Sequence, residues 1–443
     1  MFQATPRWFP MKSHPDRLAM EEGLTQFTIN HSGRRSYKTE WGKRRVVECW
    51  ADDIANPGPY GPRRYAVAAP TLPQTVRIYW DDLLALTPKA LIKDVSVVFR
   101  RVTSISGSIY ELHGMDKPER IEGVGWDGVV LDEYGNMKPE AWFSHVFPAL
   151  SDRAGWAYLL GVPEGRNHYY DLHKDFGLNP AFPNWSTWGW HSDTVLDPEQ
   201  IAIAKAAYDP ILYQQEYGGE FVSWSGNAYY AYDQDTHLKD GKYDPDKELV
   251  LCFDFNVAPG VAAVCQETSD GTHVIDEVWI PRGSNTQKIC KELMVRYGDH
   301  PTGVACYGDP TGASKGSAKL SGSDWTIIKN ELSIYFGNRL RLRVKASPPP
   351  ERNRVNAMNT RLATASGDVN MHIDPLCKHV LKDLDGVGVQ ADGQLDKKSA
   401  AELTHISDAI GYYLDYCFPI ARVSHRPTGQ VSLAGAAINR KPY

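Results

Sequence analysis

The chain has 443 residues, of which 42% are hydrophobic and 23% charged, with a net charge of −6. That length predicts two or three domains with cores of their own, and the composition excludes a disordered or fibrous chain. No apolar run reaches a membrane span, and the first residues lack the apolar stretch of a signal peptide. A cytoplasmic protein without a membrane partner is therefore expected. The global charge does not announce a nucleic-acid binder.

Over the first 220 residues, short apolar runs alternate with helical patterns. "RRYAVAAP" (63–70), "DGVVLDE" (127–133) and "AYLLGVP" (157–163) read as strands. This alternation predicts α/β architecture around a parallel sheet. Residues 222–248 turn polar and lose periodicity, which predicts a linker. A second α/β block starts at 249 with three strand-like runs, the second and third joined by a hairpin turn at "SDGT" (269–272). A helix over about 284–298, a strand at "GVACYGDP" (303–310), a rigid turn at "SPPPER" (347–352) leading into a helix, and a final helix over about 399–416 follow. The end, 419–443, carries four Lys/Arg and no acid and reads as a flexible basic tail. The seven cysteines form no C-x-x-C pair and read as reduced core residues.

Two groups of residues carry chemistry. "SGRRSYKT" (32–39) approaches the phosphate-loop pattern G-x-x-x-x-G-K-[ST]. Lys38 and Thr39 are in place, but the glycine positions hold Ser32 and Tyr37, and Gly33 is shifted by one. A nucleotide site and a basic surface loop both remain open from these residues alone. "VVLDE" (129–133) is a buried-type strand ending in two acids, the arrangement a nucleotide hydrolase uses to orient Mg²⁺ and polarise water.

In the second block Asp254 ends "ELVLCFD", Asp309 ends "GVACYGD", and Asp408 lies on a helix with Ile406, Ile410 and Leu414 on its apolar face. Two acids at strand ends and one on a late helix suit a two-metal phosphodiesterase; singly, each is also an ordinary turn former. The order of elements suggests a ribonuclease H-like fold. His405, one turn before Asp408, is either a ligand-side group or a structural histidine. Glu277 stands near the metals or at a strand edge. Lys397 and Lys398 contact phosphate or are simply solvated. Residues 338–361 carry seven Lys/Arg against one acid. They read either as a DNA-facing segment, with Arg339, Arg341, Arg343, Lys345, Arg352 and Arg354 neutralising phosphates, or as a solvated edge.

Taken together, "SGRRSYKTE", "HPDR" (14–17), "AVAAPT", "HGMDKPERIEG", "DGVVLDE", "LLGVPEG", "YQQEYGGEF", "FDFN", "YGDPTGASK" and "HISDAIGYYL" resemble, in order, the large terminase subunits of tailed bacteriophages. The chain departs from them at Tyr37, where a glycine is usual. The resemblance implies a P-loop packaging ATPase over 1–221, a linker over 222–248, a ribonuclease H-like nuclease over 249–418 and the tail. It implies ATP held by Gly33, Arg34, Arg35, Ser36, Lys38 and Thr39, with Mg²⁺ on Thr39 and Asp132 and Glu133 as catalytic base. It implies two Mg²⁺ or Mn²⁺ on Asp254, Asp309 and Asp408. Arg101, Arg120 and Arg153 are candidates for an arginine supplied to a neighbouring subunit. The implied partners are double-stranded viral DNA, a portal protein, a small terminase subunit and further copies in a ring. The implied setting is the host cytoplasm, docked transiently on the procapsid and absent from the mature virion. A helicase-like cellular ATPase–nuclease, and a nuclease scaffold whose loop no longer hydrolyses ATP, are the alternatives.

Overall fold

Two sheets organise the chain in the computed structural model, which describes residues 7–222, 226–255, 258–313, 323–390, 394–396 and 403–420. The first sheet contains β1 (Phe27–Asn30), β2 (Arg64–Ala69), β3 (Ile92–Ser96), β4 (Arg101–Ser104), β5 (Ile109–Gly114), β6 (Gly128–Asp132), β7 (Trp156–Leu160) and β8 (Trp185–Trp188). Their order is β3-β4-β5-β2-β6-β7-β1-β8. It is parallel from β5 to β8, with β3 and β4 added antiparallel at one edge. Val129, Val130 and Leu131 of β6 are fully buried. A central parallel strand is covered on both faces, which is why its sequence is continuously apolar. The helix Lys38–Asp52 covers one face through Trp41, Val46, Val47 and Trp50. Trp126, Trp142 and their neighbours fill the other.

The second unit contains β9 (Gly226–Asn227), β10 (Leu249–Asp254), β11 (Gly260–Thr268), β12 (Gly271–Ile280), β13 (Val304–Gly308), β14 (Leu340–Leu342), β15 (Met371–Ile373) and β16 (Gly388–Val389). Six strands form one sheet in the order β14-β13-β10-β11-β12-β15. β10, β11 and β12 make an antiparallel meander, with the expected hairpin at 269–270. β13 returns parallel beside β10, and β14 parallel beside β13. The helix His405–Cys417 lays Ile406, Ala409, Ile410, Tyr413 and Leu414 onto Val250, Cys252 and Ala263 of this sheet. This is the ribonuclease H-like arrangement expected from the sequence.

The segment read as a linker is not free chain. β9 pairs with β16, the Ala228 amide donates to the Val387 carbonyl at 2.7 Å, and Tyr229 is buried in the second unit's core. Its Gly/Tyr/Asp composition conceals a two-residue strand and a tyrosine anchor. The helix expected from 399 begins at His405, and residues 397–402 lie outside the described residues, as does the tail beyond 420. The two units touch through the Ala365 amide on the Tyr208 carbonyl (2.7 Å) and the Tyr230 hydroxyl on the Asp209 carboxylate.

Candidate functional site

The loop 31–37 connects β1 to the Lys38–Asp52 helix. Ser32 donates its amide and hydroxyl to the Asn30 side-chain oxygen at 3.1 and 2.6 Å. A Cβ on Gly33 would collide with the Tyr217 carbonyl oxygen, so that shifted glycine is required by a close backbone crossing. Tyr37 takes the left-handed conformation (φ 68°, ψ 6°) that a glycine adopts freely. Holding an L-residue there costs about 1–2 kcal/mol. The loop thus keeps the backbone that glycine usually supplies without the glycine.

Lys38 is the first residue of the helix, buried, with its ammonium on the Gly33 carbonyl at 3.0 Å. Burial pulls its pKa below the ordinary lysine value, while the nearby Glu133 and Asp132 pull it up. Thr39 Oγ1 donates to the Asp132 carboxylate at 3.0 Å, and Tyr79 OH donates to the same oxygen at 2.8 Å. Glu133 follows in a left-handed turn (φ 56°, ψ 44°), its amide donating to Asp132 at 2.9 Å. Burial, followed by the Asp132 charge, raises the Glu133 carboxyl to about 7. Arg34 pairs with Glu216, and its amide donates to the Glu216 carbonyl at 2.8 Å. Arg35 is exposed. Ser36 Oγ is buried with no hydrogen-bond partner. An orphaned hydroxyl and a buried ammonium at a helix N-terminus fit a phosphate.

The second set of acids gathers at one end of the other sheet. Phe253 lies opposite Gly308, so Asp254 and Asp309 sit at adjacent strand ends. Asp408 reaches the same region from the helix. The phenol of Tyr412 registers all three: burial raises its pKa, Arg354 opposes, and Asp309, Asp408 and Asp254 raise it further. His405 Nδ1 lies 3.2 Å from Asp254, and Arg354 Nη2 lies 3.1 Å from Asp408. Hard oxygen donors of this number suit Mg²⁺ or Mn²⁺, but Arg354 now supplies the positive charge at Asp408.

The basic segment 338–361 is dispersed. Arg339 is engaged on the His300 carbonyl, and Arg343 on Tyr307 OH (2.8 Å) and Glu248 (3.3 Å). Lys345 pairs with Asp415 and Arg352 donates to Gln215 at 3.1 Å, while Arg341 is exposed. Arg354 is buried on the helix Glu351–Leu362 with its guanidinium over the Tyr412 ring, so it faces the acids rather than an outer surface. Glu277 accepts the amides of His379 and Val380 at the start of the helix Lys378–Gly386. Arg101 pairs with Glu111, and Arg153 with Asp127 at 2.9 Å. Arg153 also lines a cavity of about 810 Å³ at the sheet end opposite the loop.

No protein-family model matches the chain. Over 286 residues it is 24% identical to the large terminase subunits of Thermus phage G20c and Thermus virus P23-45. That match covers 55% of this chain and spans only 58% of the length of those relatives. Its fold matches the large terminase of a thermophilic bacteriophage at a TM-score of 0.56, with 16% identity, over 89% of this chain and 94% of the other. That same phage protein in complex with ADP superposes at 0.54, over 93% and 97%. This chain resembles large terminase subunits in sequence and in fold. The fold match extends across both sheets, so the terminase likeness is not confined to the loop motifs.

Sequence reasoning passed over two residues that this geometry makes prominent, Tyr79 and Glu216, and gave a third, Arg354, a DNA-facing role instead of a place beside Asp408. Tyr79 on Asp132 left no signal. Glu216 lay inside a quoted motif, without a role, until Arg34 was seen to reach it. Arg354 did leave a trace: it stands four and eight residues before Met358 and Leu362, on the buried face of its helix.

Proposed function

We propose that this chain is a viral DNA-packaging motor that hydrolyses ATP in its first unit and cuts concatemeric double-stranded DNA in its second. The observation that carries the first half is the contact of Thr39 with Asp132, at 3.0 Å, beside Glu133 and the buried Lys38. On this reading Gly33, Arg34, Arg35, Ser36, Lys38 and Thr39 bind ATP, and Lys38 leaves the Gly33 carbonyl for the β- and γ-phosphates. Thr39 and Asp132 hold Mg²⁺. Bound there, the ion neutralises developing phosphate charge. Glu133 accepts the proton of the attacking water, and its raised pKa suits a general base near neutrality. Arg34, released from Glu216, stabilises charge on the transferred group.

Asp254, Asp309 and Asp408 hold the nuclease metals, one or two Mg²⁺ or Mn²⁺, which activate water when bound. His405 orients Asp254. Arg354 must yield Asp408 for the site to load fully. Arg341 is the exposed cation best placed to meet DNA phosphate, with Arg339, Arg343, Lys345 and Arg352 behind it. The unit limits 1–221, 222–248, 249–418 and 419–443 belong to this proposal, with 226–239 packed on the second unit. So do a portal protein, a small subunit, a ring of copies and action in the host cytoplasm outside the mature virion.

The test is ATP turnover with and without double-stranded DNA, in wild type and Lys38→Ala. DNA-stimulated turnover that disappears in the variant supports the motor. Absence of turnover in the wild type, with portal rings supplied, defeats it and leaves a metal-dependent nuclease with an inert loop.

A further inference from the structure

The far end of the six-stranded sheet, opposite the acids, holds a second cluster of metal-ligating side chains. β12 and β15 pair in parallel with His273 directly opposite His372. Their rings lie 5.0 Å apart at 56°. The β11–β12 turn brings Asp270 three residues before His273. Its Oδ1 is 3.0 Å from His273 Nε2, and its Oδ2 is 3.7 Å from His372 Nε2. One ligand atom from each residue lies within 4.8 Å of the others, and among the described residues this is the one such trio.

We propose that Asp270, His273 and His372 form a site for a zinc-class divalent ion, separate from both acid sites. An ion with ligand bonds of about 2.0–2.2 Å in a tetrahedron needs donor atoms roughly 3.3–3.6 Å apart, which the two measured separations bracket. Two imidazoles and one carboxylate favour zinc, nickel or cobalt over magnesium. Three protein ligands leave a fourth position for water. His273 is 8% exposed, and the His372 side chain 13%. His372 Nδ1 is buried without a hydrogen-bond partner, so no neighbour on that side fixes the tautomer, and Nε2 is the nitrogen turned toward Asp270.

Lys239 is the competitor. Its ammonium pairs with Asp270, and Thr268 donates to the same carboxylate. The Lys239 side chain is half exposed and free to swing into water when an ion arrives. Binding would tie the hairpin turn to β15 and close the outer edge of the sheet, a role that needs neither ATP hydrolysis nor DNA cutting.

The test uses the full chain, stripped with chelator and titrated with Co²⁺, whose visible absorption in a tetrahedral site reports binding directly. An Asp254→Ala/Asp408→Ala background removes the acid site. The proposal expects a saturable absorption there, at least tenfold weaker in His273→Ala and in His372→Ala. It expects several-fold tighter binding in Lys239→Ala, and a metal-dependent rise in melting temperature that both histidine variants lose. Absorption indifferent to both histidines would overturn the site. So would absence of binding in Lys239→Ala at 100-fold excess metal over protein.

Discussion

The two acid sites are built differently. The end of β6 and the turn after it supply both carboxylates, and the loop after β1 with the helix start supplies Arg34, Lys38 and Thr39 within six residues. In the second unit the carboxylates come from β10, from the end of β13 and from a late helix. Their cationic partner Arg354 belongs to a fourth element. The first site therefore needs only two short segments brought together by the sheet order. The second exists only when the sheet and two helices have docked. The first is also satisfied without a metal, because Asp132 already accepts from Thr39, Tyr79 and the Glu133 amide. The second is held by charges that a metal would have to replace.

The largest effects would separate the sites. Asp254→Ala or Asp408→Ala should lower Mn²⁺-dependent plasmid cutting by at least 100-fold while ATP turnover stays within twofold. Cutting that persists in both variants would end the nuclease reading. Glu133→Gln should likewise lose at least 100-fold in turnover while still binding a fluorescent ATP analogue.

The same residue sharpens the comparison through pH. The folded-state pKa of Glu133 is raised from 4.5 to about 7. Its contribution to stability is therefore present below the unfolded value and lost as pH rises through 7. Glu133→Gln should then be more stable than wild type at pH 8, by on the order of 2 kcal/mol, and indistinguishable at pH 4. Equal urea midpoints at both pH values would show that the carboxyl is not confined as described. As a base, Glu133 should give kcat/KM for ATP a limb that falls as pH drops below about 7.

Arg354→Ala tests the other site. Removing one partner of this buried pair takes the guanidinium charge away from Asp408 and should cost about 3 kcal/mol without metal. Saturating Mn²⁺ should recover much of that loss, because the ion takes over the charge. A variant destabilised equally with and without Mn²⁺ would show that Arg354 and the metal do not share Asp408. The smallest effect belongs to Tyr37→Gly. Relief of the left-handed strain, about 1 kcal/mol, should be nearly offset by lost packing of the half-buried ring against the first unit's core. Turnover that falls tenfold in this variant would mean that the ring itself serves the nucleotide.

Much of this was legible in the chain. The strands of β2, β6, β7, β10 and β13 announce themselves because a strand covered on both faces must be apolar throughout. The meander and its turn follow from three such runs and a Ser-Asp-Gly-Thr junction. The candidate loop was legible from Lys-Thr at the start of a helix, despite two missing glycines, because the pattern depends on a side chain at that position. β3 and β4 were missed, since β3 is a mostly exposed edge strand and β4 is too short for its alternation to stand out. The buried Tyr229, with β9 beside it, was missed because two-residue strands carry none.

What the sequence determined by itself is each residue's local setting: which strands are buried, which acids end them and where a helix starts. Only the tertiary structure decided who meets whom. It placed Glu216 on Arg34, Tyr79 on Asp132 and Arg354 on Asp408, and it set His273 against His372 across a strand pair. The physical reason is range. Burial and backbone preference act over a few residues and leave a period in the chain. Polar and charge pairing acts through space between residues 53 to 182 positions apart, and its partners are chosen by sheet order and helix docking.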